Sequence, residues 1–494
     1  MLNRSRALTS VAVIAMVTGV SAPAWAETLQ EAIALAYRTN PSLLAQRANQ
    51  RALDESIVQA RAGLRPTLDL TVSGSYTRDY SDGPLVDPDN DSAAASVGVS
   101  QNLWTGGRIG HSITAADAQI LSGREGLRET EQSVLALVIQ SYADVIRDGE
   151  ILRIREANLG VLRRQLDEST ARFEVGEITR TDVAQSEARL AQSEADLANA
   201  RAQLSVSRAA YAAVVGQSPG DLAPMPVLPG VPSDFDSALD VALIDNPSIR
   251  AAGYDLQAAE ANVAAAKAEY LPSLRATASY GGANNDFDRF GDIADNTRLT
   301  AGATLSVPLF TGGLNSSRVA QALERANAAQ IAVEGERRNT LQSVSSAYAQ
   351  SISARSTLQA GQEAVRAATV AAEGVRQEAQ VGLRTTLDVL NQELELRNAE
   401  VTLASARRNE YVAQANLLAA MGKLEGPDLD PTLEAYDPAA NYNRVRNRGG
   451  LPWDGVLETI DRVAAPPIVP AADAEDAPLD AQLKSEIVRT APRD

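Results

Sequence analysis

Two nine-residue stretches of this chain have similar sequences and contain charged residues: VGEITRTDV, from Val175 to Val183, and VGLRTTLDV, from Val381 to Val389. Each carries an aspartate, Asp182 or Asp388, and the second also carries Arg384. A carboxylate in the first turn of a helix is stabilised by the helix dipole, and a carboxylate beside an arginine can form an ion pair that breaks and re-forms. These residue types therefore suit helix capping or an ion pair, and neither role requires catalysis.

The rest of the composition excludes most catalytic sites. The chain has 494 residues, no Cys, one His and a formal net charge of −18. A Ser/His/Asp triad or a His-ligated metal would depend on His111 alone, and no thiolate site is possible. The acidic balance disfavours nucleic acid, whose phosphates bind clustered Lys and Arg. We therefore predict no catalytic residue, no cofactor, no metal and no nucleic-acid partner, while an enzyme built on carboxylates remains an alternative.

The first 26 residues have the pattern of a secretory signal peptide. Arg4 and Arg6 precede an apolar run from Ala7 to Val20, and Ala24-Trp25-Ala26 supplies the small residues of a cleavage site. The apolar run is shorter than the roughly 20 residues that a membrane-spanning helix needs. The sequence thus predicts an exported protein with a signal peptide at residues 1–26.

The chain repeats itself at a constant spacing. Asn40-Pro41-Ser42 returns 206 residues later as Asn246-Pro247-Ser248 (247 − 41 = 206), and Leu103-Trp104-Thr105-Gly106-Gly107 returns as Leu309-Phe310-Thr311-Gly312-Gly313. One spacing without insertions indicates a tandem duplication. We predict a first repeat at 27–217, a Pro-rich linker at 218–234, a second repeat at 235–422, and a tail at 423–494 that is disordered from about Ala464.

Each repeat contains two stretches in which apolar and polar residues alternate. Leu68, Leu70 and Val72 alternate with Asp69, Thr71 and Ser73, and a period of two indicates a strand with one apolar face. We predict strands at about 67–80, 93–104, 273–282 and 297–310. A small soluble sheet would show this alternation, but strands of about ten residues also match those of outer-membrane barrels. Four strands cannot close a barrel, so a membrane barrel would require a homo-oligomer.

Long helices are predicted after each Thr-Gly-Gly, which we interpret as a structural turn. Val138, Val145, Leu152, Leu159, Leu166 and Phe173 lie seven residues apart, so Arg108 to Glu174 reads as one helix about 100 Å long. A second set of heptads follows each nine-residue stretch, which makes the two stretches the turns of helical hairpins. A secreted or periplasmic structural coiled coil would also explain the heptads. It would not explain a signal peptide together with paired amphipathic strands.

Taken in order, these features resemble the TolC family of outer-membrane efflux and secretion ducts, over residues from about 28 to 422. The resemblance implies an α+β membrane protein made of two tandem repeats. Three chains would share a twelve-stranded outer-membrane β-barrel, four strands from each, continued by a long α-helical coiled-coil barrel in the periplasm. It also implies a passive channel in a tripartite system for type I protein secretion or multidrug efflux, with outer-membrane lipid, a periplasmic adaptor and an inner-membrane ABC or proton-driven transporter as partners. Either pump would be compatible with the sequence.

The resemblance also implies which residues form the periplasmic entrance. Asp182 matches the family's gate carboxylate, Arg384 its gate arginine and Asp388 an aspartate of the entrance ring. Two positions differ, because Ala379 stands where well-studied members have a gate tyrosine and Asn391 stands where they have a second ring aspartate. The turns that would dock the adaptor comprise Val175, Gly176, Glu177, Val381, Gly382 and Leu383.

Overall fold

The structure is a computed structural model that describes residues 26–78, 89–285 and 287–471. The predicted signal peptide, apart from Ala26, lies outside the described residues. So do the tail beyond Ala471, the loop between the first two strands (residues 79–88) and Asp286.

The two repeats have the same order of elements. The first contains α1 (Leu29–Thr39), α2 (Pro41–Asp54), α3 (Ser56–Ala62), β1 (Thr67–Arg78), β2 (Asp89–Trp104), α4 (Arg108–Glu174) and α5 (Arg180–Val215). The second contains α6 (Phe235–Asp245), α7 (Pro247–Ala268), β3 (Ser273–Asn284), a 3-10 helix (Phe287–Asn296), β4 (Thr297–Ser306), α8 (Leu314–Gln380) and α9 (Thr386–Ala420). Three short helices follow: α10 (Gly426–Leu429), α11 (Ala439–Val445) and α12 (Asp454–Asp461).

Side-chain caps determine where the short helices begin. Thr28 and Glu31 form a capping box on α1, in which Thr28 N donates to Glu31 Oε2 at 2.8 Å. Asn40 caps α2 and Asn246 caps α7, each with Pro in the first turn. α2 and α3 are separated at Glu55, beside the point where Asp54 accepts a hydrogen bond from Asn441 of the tail.

The four strands form one antiparallel sheet in the order β1-β2-β3-β4. Thr67 of β1 lies opposite Ser100 of β2, and Val97 of β2 lies opposite Tyr280 of β3. Because side chains alternate between the two faces, the apolar ones share a face. Within the single chain this face is exposed at Leu68, Leu70, Val72, Tyr76, Val97, Val99, Tyr280, Leu299 and Leu305.

The strand ends differ from the sequence expectations by a few residues. β1 ends at Arg78 in the described residues, β2 begins earlier than expected, at Asp89, and β3 extends to Asn284. β4 was expected to reach residue 310 but ends at Ser306. Pro308 lies just beyond that end, and proline has no N–H to donate to a strand ladder.

The long helices pack as two hairpins, α4 with α5 and α8 with α9, and α4 also packs against α7 and α9. The bounds of α4 are those predicted from the heptads, and α4 and α8 each have 67 residues. The largest core lies midway along α4, around Val138 and Tyr142, where the C-terminal end of α5 contributes Tyr211. Among the residues that the structure describes, none of the helices combines the length and the hydropathy that crossing a bilayer requires.

The tail packs against both repeats. Arg47 of α2 is stacked between the rings of Tyr37 and Tyr436, with its Cζ 4.3 Å and 4.8 Å from the two ring centres. The expectation of disorder from Ala464 is wrong up to Ala471, whose N–H donates to Glu260 Oε1 of α7 at 2.9 Å. Composition does not reveal such partners, which offset the entropy lost on ordering the segment.

Candidate functional site

The two hairpin turns have the same backbone geometry. Gly176 and Gly382 both have φ = 80°, a left-handed conformation that favours glycine. Apart from the glycine and its two neighbours in the chain, no heavy atom lies within 4 Å of the position of a Cβ at either residue, so it is φ and not crowding that favours glycine there. Val175, Val381 and Leu383 are exposed, so each turn presents apolar side chains beyond the helix ends.

An arginine–glutamate pair spans each turn, but the two pairs run in opposite directions. Arg172, in the last turn of α4, reaches forward to Glu177, with Nε 3.1 Å from Oε2. Arg384 reaches back from the second turn to Glu378 of α8, with Nε 2.7 Å from Oε2. The hydrogen bond and charge of Glu378 raise the pKa of Arg384 above its usual range. Glu378 was not anticipated from the sequence.

Asp182 and Asp388 cap the helices that follow the turns. Oδ2 of Asp182 accepts from Thr179 Oγ1 at 2.8 Å and from Thr179 N at 2.9 Å. Asp388 accepts from Thr385 in the same way, at 2.8 Å from Oγ1 and 3.0 Å from N. These hydrogen bonds lower the pKa of both carboxyl groups below the usual value for aspartate. Both aspartates therefore have a local structural role, whatever else they do.

The gate pair suggested by the sequence is not formed within one chain. In the described residues, Asp182 bonds to Thr179 and Arg384 to Glu378, and no ion pair joins Asp182 to Arg384. Asn391 has a partner that the sequence did not reveal, since its Oδ1 accepts from Arg189 Nη2 of α5 at 3.0 Å. No motif marks Arg189, because its role depends on which faces of α5 and α9 meet.

The two hairpins are held together by different chemistry near their tips. In the first, the buried side chains that meet between α4 and α5 are neutral: Ser169 and Ser186 lie 3.2 Å apart, and Asn158 donates to Ser193 at 3.2 Å. The ion pairs that also join these helices, such as Arg163 with Glu194, are partly or fully exposed. In the second, the buried Glu393 of α9 accepts from Arg376 Nε of α8 at 2.6 Å and lies 3.5 Å from Arg397. A buried charge depends on its partners, so the second hairpin is the more sensitive to loss of one side chain.

The other residues that the sequence singles out as possible functional groups, His111 and the Gly106-Gly107 turn, have structural roles. His111 follows the first Thr-Gly-Gly turn, and burial lowers its pKa below the usual value for histidine. Gly106 and Gly107 have φ of 64° and 86°, which confirms the predicted turn. Within the described part of the chain, no group of His, Cys, Asp and Glu has the arrangement of a metal site.

A four-stranded sheet with an exposed apolar face, joined by glycine turns to helical hairpins of this length, defines the class of outer-membrane ducts. The profile of the outer membrane efflux protein family matches residues 32–217 and 238–423. The chain belongs to this family.

Known relatives and solved structures agree with the family assignment. The chain is 33% identical over 433 residues to the outer membrane efflux protein BepC of Brucella suis, covering 88% of this chain and 92% of BepC. It is 28% identical to the outer membrane protein TolC of Vibrio cholerae, covering 83% and 94% of the two chains. The crystal structure of the Neisseria gonorrhoeae MtrE outer membrane channel superposes with a TM-score of 0.69, at 25% identity, over 80% of this chain and 89% of MtrE.

The resemblance to the TolC family and the predicted fold class are thus confirmed. The chain is an exit duct of a tripartite export system, located in the outer membrane and extending into the periplasm. Channels of this family are trimeric, are passive, and work with adaptors and inner-membrane pumps.

Proposed function

We propose that three copies of this chain form one passive duct without catalytic activity. The observation that carries the proposal is the sheet: among the residues that the structure describes, its four strands leave an apolar face exposed, and β1 and β4 are each paired on one side only. Four strands are too few to close a barrel, the smallest of which have about eight. Three chains would supply twelve strands and cover both edges.

The hairpin tips form the periplasmic entrance of this duct. Asp182, Arg384, Asp388 and Asn391 lie within or just beyond the two turns, where threefold symmetry would arrange them in rings around the axis. The closed state is held by the Arg189–Asn391 hydrogen bond within each chain and by contacts of Asp182 and Arg384 with the neighbouring chain. No tyrosine contributes, because the corresponding position is Ala379.

The turns themselves dock a periplasmic adaptor. Val175, Gly176 and Glu177 in the first turn and Val381, Gly382 and Leu383 in the second are presented in the same way, so one adaptor hairpin can recognise both. Three exposed aliphatic side chains supply apolar contact area, and the left-handed glycines keep the backbone accessible. The adaptor links the duct to an inner-membrane ABC or proton-driven pump, which selects the cargo.

Two measurements on the purified protein test the duct. Light scattering in detergent should give three times the mass of the mature chain, and planar bilayers should show discrete conductance steps. A stable monomer without conductance would contradict the proposal and favour a structural coiled-coil protein. A trimer without conductance that turns over a substrate would favour an enzyme built on carboxylates.

A further inference from the structure

The connection between β3 and β4 folds back onto the sheet. Its 3-10 helix, Phe287–Asn296, contacts β2 as well as β3. Gly282 is two residues from Tyr280, so both belong to the apolar face of the sheet. A Cβ at Gly282 would overlap the carbonyl oxygen of Ile293, which is buried in this contact. The helix therefore lies on the apolar face, and the absence of a side chain at residue 282 lets it approach.

The strands have small residues where the helix lies. On β2, Ala93 is buried, whereas Val97 and Val99, further along the same face, are exposed. In the first repeat, the position of Gly282 is occupied by Tyr76 (282 − 206 = 76), whose side chain would fill the space that the helix uses. The small residues thus form a seat for the loop of the second repeat.

An apolar groove remains between the helix and the strands. Its volume is about 350 Å³, within the range of roughly 300–1,000 Å³ that is usual for ligand pockets. Leu70, Val97 and Tyr280 line its sheet side, and Ala294 lines its helix side. The hydroxyl groups of Tyr280 and Thr297 lie 3.2 Å apart and are hydrogen-bonded to each other. Among the residues that the structure describes, no charged side chain lines the groove.

The groove lies where the apolar band of the sheet ends, on the side away from the long helices. A tilted strand crosses the hydrocarbon layer with roughly nine to eleven residues, and β3 begins at Ser273, so its outer boundary falls near Gly282. Asp292 and Asp295 of the 3-10 helix are exposed, and carboxylates are costly within hydrocarbon. The helix is therefore at the level of the lipid headgroups of the outer leaflet.

We propose that this groove holds an acyl chain of a lipid from the outer leaflet, with the 3-10 helix lying among the headgroups on the outside of the sheet. The apolar face meets lipid in the outer membrane, and the groove is continuous with that face. Water in so apolar a groove would lack hydrogen-bond partners, and an empty groove would forfeit dispersion contacts.

Recognition depends on the shape of the groove and on hydrocarbon contact, since no charge is available to select a headgroup. The groove lies over β2 and β3, the two central strands, so a neighbouring chain at the edges of the sheet leaves it open. The inference depends on the outer-membrane location of the chain and not on the number of chains in the duct.

Native mass spectrometry of the delipidated full chain, titrated with dimyristoyl phosphatidylethanolamine, tests the groove. Wild type should retain one lipid per chain more tightly than any further lipid. Ala294→Phe fills the groove and should weaken that first binding step several-fold. Ala301→Phe is the matched control, because it makes the same change on the apolar face at an exposed position of β4 outside the groove. It should bind lipid like wild type.

Two results would overturn the groove. One is the absence of a preferred first lipid on wild type, and the other is equal binding by Ala294→Phe and Ala301→Phe. Gly291→Phe enlarges a second residue of the lining, at a position where a Cβ meets no atom within 4 Å. It should reproduce the loss and so decides the question if Ala294→Phe does not assemble.

The position of the helix can be measured separately, because the natural chain has no cysteine. A nitroxide on Ala294→Cys in phosphatidylethanolamine/phosphatidylglycerol vesicles should be relaxed more by oxygen, which partitions into lipid, than by a water-soluble nickel chelate. Adding Gly282→Val should displace the helix and reverse this order. Gly302→Val, at a strand glycine with no atom within 4 Å of a Cβ, should not. Greater relaxation by the chelate without Gly282→Val would overturn the position of the helix on lipid.

Conductance of the same samples separates this inference from the proposed function. A protein that conducts but shows no preferred lipid would overturn the groove and leave the duct intact. A protein that binds the lipid as expected and does not conduct would support the groove and reject the duct.

Discussion

Arg189 and Asn391 are hydrogen-bonded across the two hairpins of one chain, with Nη2 and Oδ1 3.0 Å apart. Arg189 lies two turns into α5 and Asn391 lies in the second turn of α9, so the bond joins the hairpins just above their tips. An outward movement of one hairpin must break it. The bond therefore belongs to the closed state of the proposed entrance.

Replacing Arg189 by Ala should increase single-channel conductance. A partly exposed bond of this kind contributes about 0–1 kcal/mol, and three copies together bias closure by up to about 3 kcal/mol. Arg201→Ala is the matched control, because Arg201 is also in α5 but pairs with Glu156 within the first hairpin. Equal conductance of Arg189→Ala and Arg201→Ala would show that the Arg189–Asn391 bond does not hold the entrance closed.

Replacing Asp182 and Arg384 together by Ala should also increase conductance and leave trimer assembly intact, since the sheet and helix cores are elsewhere. Arg384 could act through its pair with Glu378 within the chain or through contacts with a neighbouring chain. Glu378→Gln distinguishes the two, because it weakens the pair within the chain and keeps the arginine. If contacts between chains matter, the double variant should conduct more than Glu378→Gln. Conductance of the double variant equal to that of the wild type would remove both residues from the gate.

Asp388→Asn should reduce the preference for cations over anions. A ring of three carboxylates concentrates negative charge at a constriction, and the substitution removes that charge while keeping the shape of the side chain. Reversal potentials in a salt gradient measure the effect. Glu363→Gln, an equal charge change higher on α8, is the control, and an unchanged reversal potential for Asp388→Asn would refute the entrance ring.

Acid should loosen the hairpin tips. Because the pKa values of Asp182 and Asp388 are lower in the folded chain, their caps are fully present above the usual aspartate pKa. The stabilisation is lost as the pH falls through the folded-state pKa values. Hydrogen exchange at the tips, corrected for intrinsic rates, should differ between wild type and Asp182→Ala at neutral pH, and the difference should shrink as the pH falls through the folded-state pKa of Asp182. A difference that persists in acid would show that the carboxylate charge is not its cause.

Asp461 should be essential to the junction between sheet and helices. Its buried carboxylate accepts from Thr105 N at 2.6 Å, from Thr105 Oγ1 at 2.7 Å and from Gly110 N at 3.1 Å. Asp461→Ala leaves these donors without an acceptor, which costs about 1–3 kcal/mol of stability for each donor, so the melting temperature should fall clearly. Glu458→Ala on the same helix, which breaks a partly exposed pair with Arg61, should cost about 0–1 kcal/mol. Equal stability of the two variants would contradict this role.

Local patterns in the sequence were sufficient for the long helices and, to within a few residues, for the strands. The heptads gave the bounds of α4 and the alternation gave the apolar face of β1, because hydrophobic periodicity reflects one element facing one core. The caps at Thr28 and Asn40 could be predicted because they join residues two or three positions apart. The repeat spacing, which the strand registers preserve, is likewise a property of the sequence alone.

Only the tertiary structure decided which side chains meet between elements. Arg189 bonds to Asn391 and Asp461 bonds to Thr105 across hundreds of residues, and no spacing in the sequence encodes either contact. Arg384 could have paired with Asp182 or with Glu378, and the backbone path of the turn selects Glu378. The segment from Ala464 to Ala471 reads as disordered by composition, yet it is ordered and Ala471 donates to Glu260 of α7. The physical reason is the same in each case: periodicity specifies the face of an element, whereas the orientation of packed helices specifies its partner.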